Sequence, residues 1–342
     1  MDTEASRPAD GTGGLSWRAL TTDDVPAWFE LVMAMQDVDQ PAERYTADDL
    51  RDELVKGSWK DPANDTIVGV DDDGTPRAVG LVQTRPGDLR SIRAACDGGV
   101  HPDWRGRGLG TTVLHWQHTR ALEKVAAARA SRPSGDQLPA RVMTHAEERL
   151  EDRAKLFGRM GFAPARWYID MLRPLTVAGA PPVPDSPLPE GLRLVPFDAG
   201  LDETVRLAHN EAFAEHWGSE PRMAEDWQVS TTGSREFWRD WSFVVLDGEE
   251  VAGYAVSGAY EQEWEPLGYT QGWTDILGVR PAWRRRGIAP ALLVASMTAF
   301  AGSGMQYAGL GVDSENASGA LGVYERMGYR PERRSVAYAI NV

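Results

Sequence analysis

At 342 residues the chain is long for one domain and comfortable for two, and 42% hydrophobic content with 13 Trp excludes a largely disordered polymer. A formal charge of −15 argues against a nucleic-acid partner, which needs a basic face. No apolar run approaches the roughly 20 residues that span a bilayer, so no membrane partner is expected.

Taken in chain order, residues 1–14, "MDTEASRPADGTGG", are acidic, small and Gly-rich. They lack the basic start and apolar core of a signal peptide and read as a disordered tail. A first domain is expected over 15–174. It opens with a short strand pattern, "LSWRAL", followed by helical text, "DDVPAWFELVMAM", with apolar residues three and four apart. A hairpin follows in "DTIVGVDDDGTPRAVGLVQT", apolar residues alternating around an Asp/Gly turn. A further strand, an amphipathic helix, and then strand, helix and strand complete the half. Residues 175–189 are Pro-rich and read as a stiff exposed linker. The second domain, 190–342, repeats the series with "GLRLVPF", "LDETVRLAHNEAF" and "SFVVLDGEEVAGYAVSG". A single cysteine, Cys96, excludes an internal disulfide and fits a reducing cytoplasm, the expected location. Six scattered His show no metal-ligand spacing, and no metal is expected.

The halves share one sentence in particular, "VHPDWRGRGLGTTVL" at 100–114 and "VRPAWRRRGIAPALL" at 279–293. In each, a strand ends at Val100 or Val279, and a helix begins beyond a glycine, Gly108 or Gly287. Gly there permits backbone angles closed to other residues and close approach by a ligand. The first-turn N–H groups of the new helix lack internal partners, and the helix dipole adds positive potential. Together these make an anion site suited to a pyrophosphate. Arg284, Arg285 and Arg286 bring formal charge to the same place. Neither P-loop nor three-glycine dinucleotide spacing is present.

On these residues both halves resemble the GNAT superfamily of acyl-CoA-dependent N-acetyltransferases. Its signature, Arg/Gln-x-x-Gly-x-Gly/Ala, is matched by Arg105–Gly108–Gly110 and Arg284–Gly287–Ala289. Similarly, "DSENASGALGVYERMGY" at 313–329 is similar to the family's later motif, an Asn before a helix that a Tyr ends. The architecture is similar to the tandem-domain, mycothiol-synthase type of that superfamily. The resemblance implies an α/β fold of two tandem GNAT-like domains, each a mixed, mostly antiparallel sheet flanked by helices. It implies acetyl-CoA as co-substrate, held by Leu277, Val279, Arg284, Arg285, Arg286, Gly287, Ile288, Ala289 and Asn316. Val100, Arg105, Gly106, Arg107, Gly108 and Gly110 form a second possible CoA site. Pro290, directly after Ala289, removes one potential phosphate donor while favouring the start of a helix.

Departure of CoA as a thiolate calls for a proton, which a Tyr hydroxyl supplies and a Phe does not. The family's Tyr acid maps onto Tyr324 in the second half and onto Phe157 in the first. The helix-initiating Asn maps onto Asn316 and Arg149. The second domain is therefore expected to be catalytic and the first not. Many relatives carry a Glu base on the strand before the turn, at the position of Trp273 here. Asp275, two residues on and on the same face of a regular strand, is the nearest substitute. Glu211, Glu215 and His216 are alternatives from the end of the half's first helix.

A small-molecule amine is the expected acceptor. Acidic and aromatic residues in "GAYEQEWEPLGYTQGW" suit a cationic amine. Glu211, His216, Trp217, Glu263 and Trp273 are the candidates to line its site. An aminosugar, an aminoglycoside, a polyamine and a cysteine–aminosugar thiol precursor all fit. Two other readings stay open: an acyl-CoA-binding regulatory protein with little turnover, and a protein lysine acetyltransferase. The assembly is expected to be a monomer or a homodimer.

Overall fold

The computed structural model describes residues 7–85, 87–132, 138–315 and 319–342. In chain order the regular elements begin with β1 (Ser16–Arg18), α1 (Val25–Asp39), α2 (Ala47–Val55), α3 (Pro62–Asp65), β2 (Thr66–Val70) and β3 (Pro76–Thr84). They continue with β4 (Ile92–Val100), α4 (Leu109–Ala130), β5 (Ala140–Glu147), α5 (Glu151–Arg159) and β6 (Ala163–Pro174). Next come β7 (Leu192–Pro196), α6 (Asp202–Ala212), α7 (Ala224–Trp227), β8 (Phe243–Asp247), β9 (Glu250–Gly258), α8 (Glu261–Leu267) and β10 (Gln271–Val279). The last are α9 (Ile288–Gly302), β11 (Tyr307–Asp313), α10 (Ala320–Arg326) and β12 (Arg330–Asn341). No described helix is long and apolar enough to cross a membrane.

Local chemistry accounts for most boundaries. α1 follows a capping box in which Thr21 and Asp24 satisfy each other's backbone, with Pro26 in its first turn. Thr46 and Asp49 cap α2 in the same way. The β2–β3 hairpin turns where the Asp71 carboxylate accepts the N–H groups of Asp73 and Thr75. The β8–β9 hairpin turns at Gly248, whose φ of 60° is left-handed.

The chain divides into two compact units, and the division departs from the expected boundaries. Unit 1 is the chain up to Arg166 together with Ser335–Val342, and unit 2 is Trp167–Arg334. In unit 1 the strand order is β1-β2-β3-β4-β5-β12, in unit 2 β6-β11-β10-β9-β8-β7. Each sheet is antiparallel except for one parallel pair, β4–β5 and β10–β11. The strand that ends the first half of the sequence thus pairs with β11, Tyr168 opposite Asp313 through Pro174 opposite Tyr307. The strand that ends the chain pairs with β5, Ser335 opposite Glu147 through Asn341 opposite Arg141. The expected domains at 15–174 and 190–342 each carry the other's last strand.

The Pro-rich stretch is not a free connector either. It has no regular secondary structure, yet it belongs to unit 2. Arg173, 1% exposed, donates through Nη2 to the Pro182 carbonyl at 2.7 Å and through Nε to the Met327 carbonyl at 2.8 Å. Leu175 and Val183 pack on the core of unit 2. Prolines cannot join a ladder, but their carbonyls are good acceptors, and a buried guanidinium needs several.

Both faces of the unit 2 sheet are covered. α6 contributes Val205 and Ala208 to a core with Trp227, Tyr254 and Val256. On the other face α9 contributes Leu293, Met297 and Phe300 to a core with Leu310, Val312 and Tyr324. In unit 1, α1 covers one face with Trp28, Leu31 and Val32 over Val68, Val79 and Leu81.

Candidate active site

In each unit the parallel pair is short. β10 and β11 match only from Gln271 opposite Tyr307 to Thr274 opposite Leu310, although both strands run on. β4 and β5 match only from Ile92 opposite Ala140 to Ala95 opposite Met143. Beyond that vertex the strands fork, and the facing backbone groups of 275–279 and 311–313 have no ladder partners. Such groups are costly to leave unmet unless water or a ligand takes them.

The repeated turn lies at the open end of each fork. Gly287 (φ 77°) precedes α9 and Gly108 (φ 83°) precedes α4. Two residues earlier stand a second left-handed pair, Arg285 (φ 63°) and Gly106 (φ 77°). A left-handed Arg is strained where its counterpart is a relaxed Gly. The first helical bonds are Ala291 N–H to Gly287 and Thr112 N–H to Gly108, so the N–H groups ahead of them face outward. A side chain added at Gly106, Gly108 or Gly287 would meet nothing within 4 Å, so the space before each turn is open. Both turns therefore fit a pyrophosphate.

The arginines of the motif divide their work. Arg284 turns inward: Nε reaches the Val279 carbonyl at 3.3 Å, Nη2 the Ala212 carbonyl at 2.9 Å, and Nη1 Glu215 at 3.3 Å. Arg105 does the same in unit 1, with Nε on the Val100 carbonyl and its fork on Asp39 at 2.7 and 2.8 Å. This residue braces the turn against the end of the first helix, and its side chain is spent there. Arg286 stands 3.9 Å from Asp247. Arg285 makes no ion pair or side-chain hydrogen bond with a described residue and is exposed. Arg107 lies over the Trp104 ring at 4.6 Å.

Side chains of unit 2 sort between the two faces at the fork. A side chain on Gly272 would collide with Phe300 of α9, so Trp273 points to the α6 face. β10 carries a bulge between Thr274 and Ile276, and Asp275 is the extra residue. Asp275 and Ile276 both turn to the α6 face. Ile276 packs on the core under α6, and Asp275 lies over Gly258, where an added Cβ would sit 2.8 Å from Asp275 Oδ2. Tyr260 donates its hydroxyl to Asp275 Oδ1 at 2.6 Å. The carboxyl is crowded by protein while part of its residue stays open to solvent. That crowding, with like charge from Glu236, pushes it up to about 7 against the pull of the Tyr260 hydrogen bond.

Trp273 lies flat on β11, and a side chain at Gly309 would collide with its ring. Asp313 ends β11 on this same face, since Val312 faces α9. His216 follows α6, with Nδ1 3.1 Å from the Trp217 carbonyl and Nε2 3.9 Å from Asp313 Oδ2, a gap too long for a hydrogen bond.

Other candidates are placed elsewhere. Glu215 is 84% exposed beside Arg284. Glu211 is paired with Arg280 at 2.7 Å. Glu263 is buried on α8 and accepts from Gln271. Asn316 lies outside the described residues.

Tyr324 belongs to the α9 face. It is 8% exposed on α10 among Leu310, Val312 and Met297, which flank the fork. Its hydroxyl makes no hydrogen bond to a described residue, and burial pushes the phenol up to about 12. At neutral pH it therefore carries its proton. Phe157, its counterpart in unit 1, packs edge-on against Tyr338 at 5.2 Å.

Unit 1 differs most at the mouth of its fork. Asp39, the last residue of α1, holds Arg105 beyond β4 and, at 2.8 Å, Arg153 beyond β5. Arg149 adds hydrogen bonds to the carbonyls of Asp39 and Gln40. Burial acts to raise the Asp39 carboxyl, and the two guanidiniums outweigh it and hold it below the ordinary carboxylate range. This network ties together the segments that leave the two forked strands. In unit 2 the corresponding positions are Ala212 and Ala320, which cannot form such a bridge.

Two strand forks, each opening onto a glycine turn that caps a helix, define a tandem acetyltransferase fold. The chain belongs to the acetyltransferase (GNAT) family, whose model matches residues 25–132 and again 204–329. It is similar to the mycothiol acetyltransferase of Acidothermus cellulolyticus, 30% identical over 280 residues that cover 77% of this chain and 76% of that protein. The mycothiol acetyltransferase of Thermobispora bispora is 31% identical over 235 residues, 67% of this chain and 70% of that one. A GCN5-related N-acetyltransferase from Sphaerobacter thermophilus shares the fold with a TM-score of 0.71 at 24% identity, covering 98% and 97% of the two chains. So does a tandem GNAT protein from the clavulanic acid biosynthesis pathway, at 0.63 and 16% identity over 96% and 98%. The chain is an N-acetyltransferase with acetyl-CoA as its co-substrate.

Sequence reasoning missed Gly258 and Tyr260 as the setting of Asp275, Asp313, and the Asp39 bridge. A signal for the floor was present in "AGLGVD" (308–313), where alternate glycines in a strand mark a close approach.

Proposed function

We propose that unit 2 acetylates the primary amine of a small cationic acceptor and that unit 1 is a non-catalytic scaffold. One observation carries this reading: Asp275 and Tyr324 stand on opposite faces of the same open fork. Acetyl-CoA supplies an activated acyl carbon and a thiolate leaving group. The N–H groups at Gly287, Ile288 and Ala289 and the Arg285 guanidinium hold its phosphates. The backbone of 275–279 that faces the gap, Leu277 included, takes its amide-bearing arm, with the Val279 carbonyl held by Arg284 at the open end. Asp275 accepts a proton from the acceptor's ammonium, and the freed nitrogen attacks from the α6 face. As the C–N bond forms and the C–S bond breaks, the nitrogen loses its second proton to solvent, while Tyr324 gives its proton to sulfur and regains one from solvent; Asp275 then releases the first. Each turnover releases one proton.

Asp275, Asp313 and the Trp273 ring on the acceptor face favour a cation. Similarity over three quarters of the chain to mycothiol acetyltransferases favours a cysteine–aminosugar thiol precursor among such acceptors. Glu215 and Arg284 then serve the turn rather than the reaction.

Titration of acetyl-CoA into wild type and Gly287→Glu, with thiol release followed over an amine panel, tests this reading. Binding lost in Gly287→Glu, and kcat reduced about 100- to 10,000-fold in Tyr324→Phe, is the expected outcome. Binding at unchanged stoichiometry in Gly287→Glu would move the working site to Arg105–Gly110.

A further inference from the structure

The position at which many relatives carry their base is occupied here by Trp273, which lies beside the vertex of the fork. Acid and base stand on opposite faces of the sheet, so the reacting carbon lies in the gap between β10 and β11. CoA enters from the turn at the open end, and the acyl group is therefore its leading end, aimed at the closed end. Three directions are available to an acyl chain there. Straight on, Thr274 and Leu310 are paired in the ladder. Toward α9 lie the packed side chains of Leu310, Leu293, Met297 and Tyr324. Toward α6 the floor is bare glycine, Gly309 and Gly311, covered by the Trp273 ring and edged by Gln271 Oε1, 3.2 Å from where a Gly309 Cβ would sit, and Asp170 Oδ1, 3.6 Å from a Gly311 Cβ. The Trp273 indole lies on Gly309 and extends until its Cζ2 is 3.9 Å from where a Gly311 Cβ would sit.

We infer that Trp273 is the specificity-determining residue that limits the transferred group to acetyl, its indole closing the one exit a longer acyl chain could use. The inference rests on the fork of unit 2 being the reaction site. It also gives the glycines of β11 a purpose, since any side chain at Gly309 would displace the ring.

The test compares acetyl-, propionyl- and butyryl-CoA in wild type, Trp273→Phe and Trp273→Ala, using both rates on the best amine of the panel and calorimetric affinities. Pockets discriminate about 10- to 200-fold per methylene, so the butyryl-to-acetyl ratio of kcat/KM should rise at least about tenfold in Trp273→Ala. Trp273→Phe should fall between, and it keeps an aromatic ring on the floor if Trp273→Ala folds poorly by circular dichroism. A wild-type enzyme that takes butyryl-CoA as readily as acetyl-CoA overturns the inference. So does a pair of variants that raise KM for the amine and leave the acyl preference unchanged, the signature of an acceptor contact. Affinities need no amine. A panel without turnover would sink the proposed function, while the butyryl-to-acetyl affinity ratio would still decide the role of Trp273.

Discussion

The two forks of this protein are built from the same sentence and finished differently. Each has a four-residue parallel vertex, a left-handed glycine before a helix, and an arginine bracing the turn to the end of the preceding first helix. In unit 1 the brace is extended by Asp39, Arg153 and Arg149, which tie together the segments leaving the two strands, and the aromatic on the later helix is Phe157. In unit 2 the same places hold Ala212, Ala320 and Tyr324. The difference shows what the same opening can hold: in unit 1 charged groups bind one another across it, and in unit 2 alanines leave that room unfilled.

Transplanting the bridge would break the comparison most severely. Ala212→Asp combined with Ala320→Arg should lower turnover at least about a hundredfold by misplacing the co-substrate. Unchanged circular dichroism would show that the fold persists, and retained turnover would mean that the bridge does not close a fork.

Next in size is the pH dependence of unit 2. With Asp275 in its proposed role it acts when ionised, and its carboxyl is pushed up to about 7, so kcat/KM should fall about tenfold per pH unit below that value and level off above it. Asp275→Asn should lose that limb. The same raised value has a cost in stability: the folded state favours the protonated form, and stability is lost as pH rises from the ordinary carboxylate range through about 7. Denaturant titrations at pH 5 and pH 8 should show a smaller loss in Asp275→Asn than in wild type.

The smallest effect concerns unit 1. Asp39 is held below the ordinary carboxylate range, so its contribution is present above that range and lost as pH falls through its lowered folded value. Asp39→Asn should cost about 1.5–3 kcal/mol of unfolding free energy at pH 7, as expected for hydrogen bonds to charged groups. Rates at a temperature well below melting should not change. A drop in turnover equal to that of Tyr324→Phe would show that unit 1 takes part in catalysis.

What the sequence disclosed was what short stretches decide for themselves. The glycine turn, its helix, the two hairpins and the Tyr/Phe contrast are local, and each is readable from composition and spacing. Asp275 was legible as a carboxylate two residues after Trp273, though a regular strand was the wrong reason. The bulge sets its direction, and Gly258 on the neighbouring strand gives it room. Arg284 could not be told from Arg285 in a run of three, because only the tertiary position of the Ala212 carbonyl separates them. The exchanged strands were hidden for the same kind of reason. β6 and β12 both read as a strand closing a half, and their partners lie more than 130 residues away in sequence. The Pro-rich stretch misled because prolines mark the absence of a ladder, not the absence of anchoring.

The exchange of last strands gives the two units different histories on the ribosome. Unit 2 is continuous in sequence and can close its sheet as soon as Arg334 is clear of the exit tunnel. Unit 1 is not: β5 waits for β12 while Trp167–Arg334 is translated, which at about 5–20 residues per second is on the order of ten to thirty seconds. For that interval unit 1 presents an open sheet edge, and a message truncated before Ser335 would leave it open permanently. The unit assigned the chemistry is thus the one that can finish folding without waiting for the other.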